Sequence, residues 1–110
     1  MEIIDVGNID GEKFCAEFDE KLPLEDAANA LAAEYKEFSK ADDISVRSGV
    51  GDAGKKTYSV GTGDFDTRFR VGLYVMEDMP IYSVEQGPNG VDFEDFHKYL
   101  QEKYAAGSEE

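Results

Sequence analysis

The apolar periodicity of this 110-residue chain predicts an α+β fold. The expected architecture is a mostly antiparallel sheet of five to six strands with two helices packed on one face, in the order ββα-βββ(β)-α. Three observations lead there. Residues 23–40 and 93–106 carry apolar side chains at helical spacing. Residues 67–76 alternate apolar and polar like a half-buried strand. The other strand-like segments fall in runs before and between the helical ones, which favours antiparallel pairing over βαβ crossovers.

Residues 2–6 (EIIDV) and 12–18 (EKFCAEF) read as two strands around a turn at Gly7–Gly11. In the second, Phe14, Ala16 and Phe18 share one face, which leaves Cys15 on the other as a packed or covered small residue. From Pro23 to Lys40 the positions Leu24, Ala27, Ala28, Leu31, Tyr35 and Phe38 make one stripe. Pro23 suits the first helical position, and Glu25 and Asp26 suit the positive end of the helix dipole.

Residues 43–48 and 56–60 are the next expected strands. In residues 67–76, Phe69, Val71, Leu73 and Val75 face one way and Arg68, Arg70 and Tyr74 the other. A turn at Glu77-Asp78-Met79-Pro80 leads into strand 81–85, completing a hairpin. Gly87-Pro88-Asn89-Gly90 marks a further turn. The second helix is expected from Phe93 to Ala106, with Asp92 as N-cap, Val91 and Phe96 as a staple, and Gly107 as its stop. Phe93, Phe96, Leu100 and Tyr104 form its buried face, and His97 lies at the boundary. Residues 1–106 thus form a single acidic domain, and 107–110 a frayed acidic tail.

Composition narrows the function. Twenty-five acids against eleven Lys and Arg give a net charge of −14, which opposes direct binding to nucleic acid or to an anionic membrane. No run of about 18 apolar residues could span a bilayer. The start, Met1-Glu2-Ile3-Ile4-Asp5, lacks the basic and apolar regions of a signal peptide. The single cysteine excludes an internal disulfide, and a cytoplasmic location is expected.

One segment invites a catalytic or cofactor reading. Gly49-Val50-Gly51-Asp52-Ala53-Gly54-Lys55-Lys56-Thr57 has the G-x-G-x-x-G spacing of a dinucleotide loop and nearly that of a phosphate-binding loop. Both motifs must open a helix, yet a strand follows, and Asp52 would put negative charge in the cradle. A glycine-rich hairpin loop is the expected structure. His97 and Cys15, one of each, are too few for the usual zinc sites or a convincing Cys–His nucleophile. Asp5–Gly11 loosely resembles a calcium loop, but with Gly11 at the sixth position Val6 falls where Asp is required. No catalytic, cofactor-binding or metal-binding residue is assigned. A carboxylate-dependent enzyme is the third-ranked function class.

The charge is uneven. Residues 1–20 carry −6, residues 21–41 carry −1, residues 42–76 are neutral, and residues 77–110 carry −7. Salt adaptation would spread acid evenly and use little Lys, whereas Lys outnumbers Arg eight to three here. The second function class is a housekeeping structural or assembly module, a homodimer pairing through an exposed sheet edge, in which the acidity serves solubility alone.

The leading expectation is a non-enzymatic module that binds a basic protein surface, that of a nucleic-acid-binding protein, by presenting carboxylates in place of phosphates. Its expected contact residues are the acids Glu12, Glu17, Asp19, Glu20, Glu77, Asp78, Asp92, Glu94, Asp95 and Glu102, with Tyr74, Tyr82 and Tyr99 as exposed aromatics. Glu17 and Asp19 would lie about 7 Å apart on one strand face. Asp95 and Glu102 would lie about 10 Å apart on one helix face. In size, acidity and lack of cofactor motifs the chain resembles the small inhibitors that phages and mobile elements use against host defence, anti-CRISPR proteins among them. The resemblance covers composition and size and no motif.

Overall fold

A computed structural model describes residues 3–51, 54–62, 66–76, 79–87 and 92–105, with the backbone alone for residues 66, 74–76, 79, 80 and 105. The described residues form six strands and two helices: β1 (Ile3–Val6), β2 (Lys13–Phe18), α1 (Leu24–Ser39), β3 (Ser45–Val50), β4 (Lys56–Thr62), β5 (Asp66–Met76), β6 (Met79–Gln86) and α2 (Phe93–Leu100), the last continuing into a π-helical turn at Gln101–Ala105. The strands form one antiparallel sheet in the order β1-β2-β6-β5-β4-β3. The expected α+β architecture is the observed one.

Alternation along the strands builds the core. Phe14, Ala16 and Phe18 of β2, Tyr58 and Val60 of β4, Phe69 and Val71 of β5, and Tyr82 and Val84 of β6 are all buried under the helices. Helix α1 adds Ala27, Ala28, Leu31, Ala32 and Tyr35, and α2 adds Phe93, Phe96 and Leu100. Phe96 is the hub. Its ring lies 5.3 Å from Phe69 in a stacked arrangement and 5.1 Å from Tyr35 edge-on, so one side chain joins both helices to the sheet. Truncating such a ring costs about 3–5 kcal/mol.

Helix α1 packs across β3, β4 and β5, and the π-helical turn packs beside β1. Pro23 stands at the N-cap of α1, one position before the first helical residue. Lys40 closes the helix in the left-handed conformation (φ 63°), a role usually taken by glycine.

Two bulges shape the sheet. Ile3 pairs with Phe18 but Asp5 with Glu17, so β1 carries an extra residue. Both Ile3 and Val6 can then face the core, while Ile4 and Asp5 point outward. On β5, Phe69 pairs with Val60 and Thr67 with Gly61, which makes Arg68 the additional residue. Beside it Gly87 donates its N–H to Arg68 O at 3.0 Å. A Cβ at Gly87 would stand 2.6 Å from Thr67 O, so the backbones meet only because the residue is glycine.

Several local expectations are corrected. Strand β3 runs from Ser45 to Val50, because pairing with β4 continues through Gly49 and Val50 to the hairpin turn. Cys15 is exposed on the open face of the sheet, since both helices pack on the other face. His97 is only 4% exposed and belongs to the core. Tyr82, expected at the surface, is 1% exposed. Its hydroxyl accepts from Leu22 N–H at 3.0 Å and donates to Leu22 O, which satisfies the polar end inside the protein. Val91 and Gly107 lie outside the described residues.

Candidate functional site

The acidic ends of the sequence meet in space through a small polar clasp. Gly7, in the turn after β1, donates its N–H to Cys15 O at 2.9 Å, which holds the β1–β2 hairpin. Its carbonyl points at α2. His97 Nε2 lies 2.7 Å from Gly7 O, and because a carbonyl only accepts, Nε2 carries the proton. Gln101 Nε2 donates to the same carbonyl at 3.3 Å and to Asn8 Oδ1 at 3.2 Å. The His97 ring also packs on Phe14 with centroids 4.9 Å apart, and Phe14 packs on Phe93 at 5.4 Å. The N-terminal hairpin and the C-terminal helix are therefore one unit.

Around this unit Glu12, Glu17, Asp19, Glu20, Glu94, Asp95 and Glu102 are all exposed. Asp5 joins them. It stands directly opposite Glu17 in the β1–β2 register, where like charges repel. The alternation of Ile3 and Asp5 in a regular strand hides Asp5 from sequence reasoning; the pair of apolar residues Ile3 and Val6, three apart, is the signal of the bulge that turns it outward.

The expected spacings change. β2 ends at Phe18, so Asp19 lies in the bend beyond it and shares no strand face with Glu17. The interval from Asp95 to Glu102 crosses from α-helix into the π-helical turn, so regular helical spacing does not carry through it. Asp92 is at the N-cap, as expected, but without a capping hydrogen bond. Its carboxylate instead accepts from Tyr35 OH, 2.9 Å from each oxygen, and fastens α2 to α1. Glu77 and Asp78 lie outside the described residues, as does the side chain of Tyr74.

Tyr99 is half-buried in the seam between the helices. Its ring lies 5.2 Å from Phe38, and its hydroxyl donates to Glu37 Oε1 at 3.3 Å. Lys103 Nζ bridges Glu34 Oε1 at 2.9 Å and Glu37 Oε1 at 3.3 Å, and lies over the rings of Tyr99 and Tyr104. Tyr104 OH donates to Glu34 Oε2. Burial, reinforced by that hydrogen bond and the Glu34 charge, pushes the Tyr104 phenol up to about 12. Hydrogen bonding to Glu34 does most to hold the Lys103 ammonium well above its usual range, and burial shifts the Tyr99 phenol upward. The seam holds one ammonium between two carboxylates and ties the helix pair together.

The glycine-rich segment forms the β3–β4 hairpin. Gly51 N–H donates to Lys55 O at 2.7 Å and Gly54 N–H to Gly51 O at 3.3 Å, so these groups close the turn and do not point at a ligand. Gly54 needs its glycine, with φ at 73°. No helix follows; Lys56 opens β4. Cys15 and His97 lie on opposite faces of the sheet, so no Cys–His pair forms. Among the described residues no group of three or more His, Cys, Asp and Glu side chains is placed to hold a metal ion, and no helix is long and apolar enough to cross a membrane. Comparison with known protein families, curated proteins and solved structures yields no match that would point to a function.

Proposed function

We propose that the protein is a non-enzymatic binding module that docks its acidic end on the basic surface of a nucleic-acid-handling protein. In this reading it acts in the cytoplasm as an inhibitor of the kind phages and mobile elements deploy, with carboxylates occupying positions that phosphates would take. The observation that carries the reading is the clasp of Gly7, His97 and Gln101, which ties the two most acidic stretches of the chain together at one end of the fold. The working carboxylates lie on both sides of that end, Asp5 and Glu17 on the open face of the sheet and Glu94, Asp95 and Glu102 on the helical side. Asp92 drops out of that set because Tyr35 holds it, and Tyr82 drops out because it is buried. Long-range attraction between such a surface and a basic groove speeds association and fixes orientation.

The test is capture of partners from lysate of the source cells by the wild-type chain and by a variant carrying E17Q, E94Q, D95N and E102Q. The expected result is a nucleic-acid-binding protein that the variant fails to retain, that duplex DNA displaces, and that raised salt releases, as screening of exposed charges requires. Equal capture by the variant, or capture indifferent to salt and DNA, overturns the reading.

A second reading, an assembly module, has one observation behind it. Strands β1 and β3 both end the sheet, and Val50 on β3 is 76% exposed. An edge of that kind can pair with a second copy. Sedimentation across a range of concentrations separates the two, since only the second reading requires a dimer.

A further inference from the structure

The face of the sheet opposite the helices holds a basin of about 270 Å³ near the β3–β4 turn. Its floor is the cross-strand row Thr57, Gly72 and Ser83, contiguous because Thr57 pairs with Gly72 and Gly72 with Ser83. Lys55 and Arg70 stand on its walls, and Glu85 lies directly opposite Arg70 in the β5–β6 register. We propose that this basin binds a small ligand through a phosphate or carboxylate oxyanion.

Three features carry the inference. The first is charge. In a chain of net charge −14, the described side chains lining the basin bring more positive than negative charge, with Glu85 as the single carboxylate among them. Arg70 offers the planar fork that binds an oxyanion through two parallel hydrogen bonds, and Lys55 adds a point charge. The second is the floor. Thr57 and Ser83 bring hydroxyls that can donate to an anion.

The third is Gly72, in the interior of β5, a strand with neighbours on both sides. Its φ is not positive, and a Cβ there would meet Thr57 Cγ2 at 3.8 Å, an ordinary contact. Neither backbone conformation nor crowding calls for glycine. A glycine inside a strand costs roughly 0.5–1 kcal/mol, and it commonly marks a place where a ligand approaches the backbone. The lysine-bearing, glycine-rich segment thus contributes to anion recognition through Lys55 on a hairpin, without the helix-opening geometry of a phosphate loop.

The test is a titration of the ¹⁵N-labelled full chain with pyrophosphate and, separately, with citrate, each at ionic strength matched with sodium chloride. Saturable amide shifts at Thr57, Gly72 and Ser83 are expected with at least one. Saturation by pyrophosphate alone identifies a phosphate ligand, by citrate alone a carboxylate, and by both a general oxyanion site. R70Q should weaken binding about tenfold or more, and E85Q should strengthen it several-fold by removing a repulsive charge. G72V should abolish binding by filling the floor. Should G72V fail to fold, R70Q and E85Q, both at exposed positions, still decide the matter. Absence of saturation with both anions, or unchanged binding by R70Q, overturns the proposal.

Discussion

Replacing His97 with Phe keeps an aromatic ring against Phe14 but removes the Nε2–H that reaches Gly7 O at 2.7 Å. Loss of one such bond costs about 0.5–1.5 kcal/mol, and the slightly larger ring adds up to about 1 kcal/mol of overpacking. The carbonyl is not orphaned, because Gln101 Nε2 still donates to it at 3.3 Å. His97→Phe should therefore destabilise by about 1–2 kcal/mol, and Gln101→Ala by about 0.5 kcal/mol, since its bonds are long. With both changed, Gly7 O has no side-chain donor, and the double variant should lose at least about 0.5 kcal/mol more than the sum. Urea unfolding followed by far-ultraviolet circular dichroism measures all three, and hydrogen exchange should show faster opening in β1 and β2 than in β4 and β5. A double variant within about 0.3 kcal/mol of additivity would falsify the shared-carbonyl account. A His97→Phe variant as stable as wild type would mean that the clasp does not hold the two ends together.

Other perturbations follow from single geometries. Gly87→Ala puts a Cβ 2.6 Å from Thr67 O, so the β5 bulge must shift; a loss of about 2 kcal/mol or more is expected in the same unfolding assay. Lys40→Gly relieves a left-handed φ of 63° at the end of α1 and should raise stability by about 1 kcal/mol, measured as a higher melting temperature. The Tyr104 phenol, pushed up to about 12 by burial and by Glu34, holds its proton more tightly folded than unfolded. Its stabilisation is thus complete below pH of about 10 and is lost as pH rises towards 12, so Tyr104→Phe should flatten the alkaline fall in stability over that window. An unchanged alkaline profile would count against the Glu34 contact.

Both helices are legible from their apolar stripes, although the regular α-helical part of the second ends at Leu100, where the π-helical turn begins. The α1 stripe from Leu24 to Phe38 needs no tertiary information, and β5 is equally plain in Phe69 and Val71. Strand order was not legible: β6 lies between β2 and β5, and no local pattern announces that Ala16 will pair with Tyr82. At the candidate site, partners distant in sequence override local polarity. His97 falls four residues after Phe93 and three before Leu100, at core spacing, yet its polarity argued for the boundary; a partner carbonyl from another segment allowed it inside. Tyr82 alternates in step with buried Val84, but its hydroxyl suggested the surface until Leu22 supplied both a donor and an acceptor. Asp92 stands at the expected N-cap position, but its carboxylate accepts from Tyr35 OH on the other helix, a contact that no local pattern announces. The charge asymmetry along the sequence was visible from composition; the clasp that joins its two acidic ends depends on tertiary contacts.

The pairing of β2 with β6 also sets an order of assembly. During synthesis β1 and β2 emerge from the ribosome long before their only other sheet neighbour exists, so they can form at most a two-stranded hairpin, which is marginal in water. Strands β3 to β6 are joined in sequence as adjacent antiparallel neighbours and, with α1, hold mostly local contacts. That part has the lower contact order and is expected to form first, whereas β1 and β2 join the sheet only through β6. The hairpin that carries the repelling carboxylates of Asp5 and Glu17 is consequently secured only in the closing stage, when docking of the later helix grips it through Gly7 O.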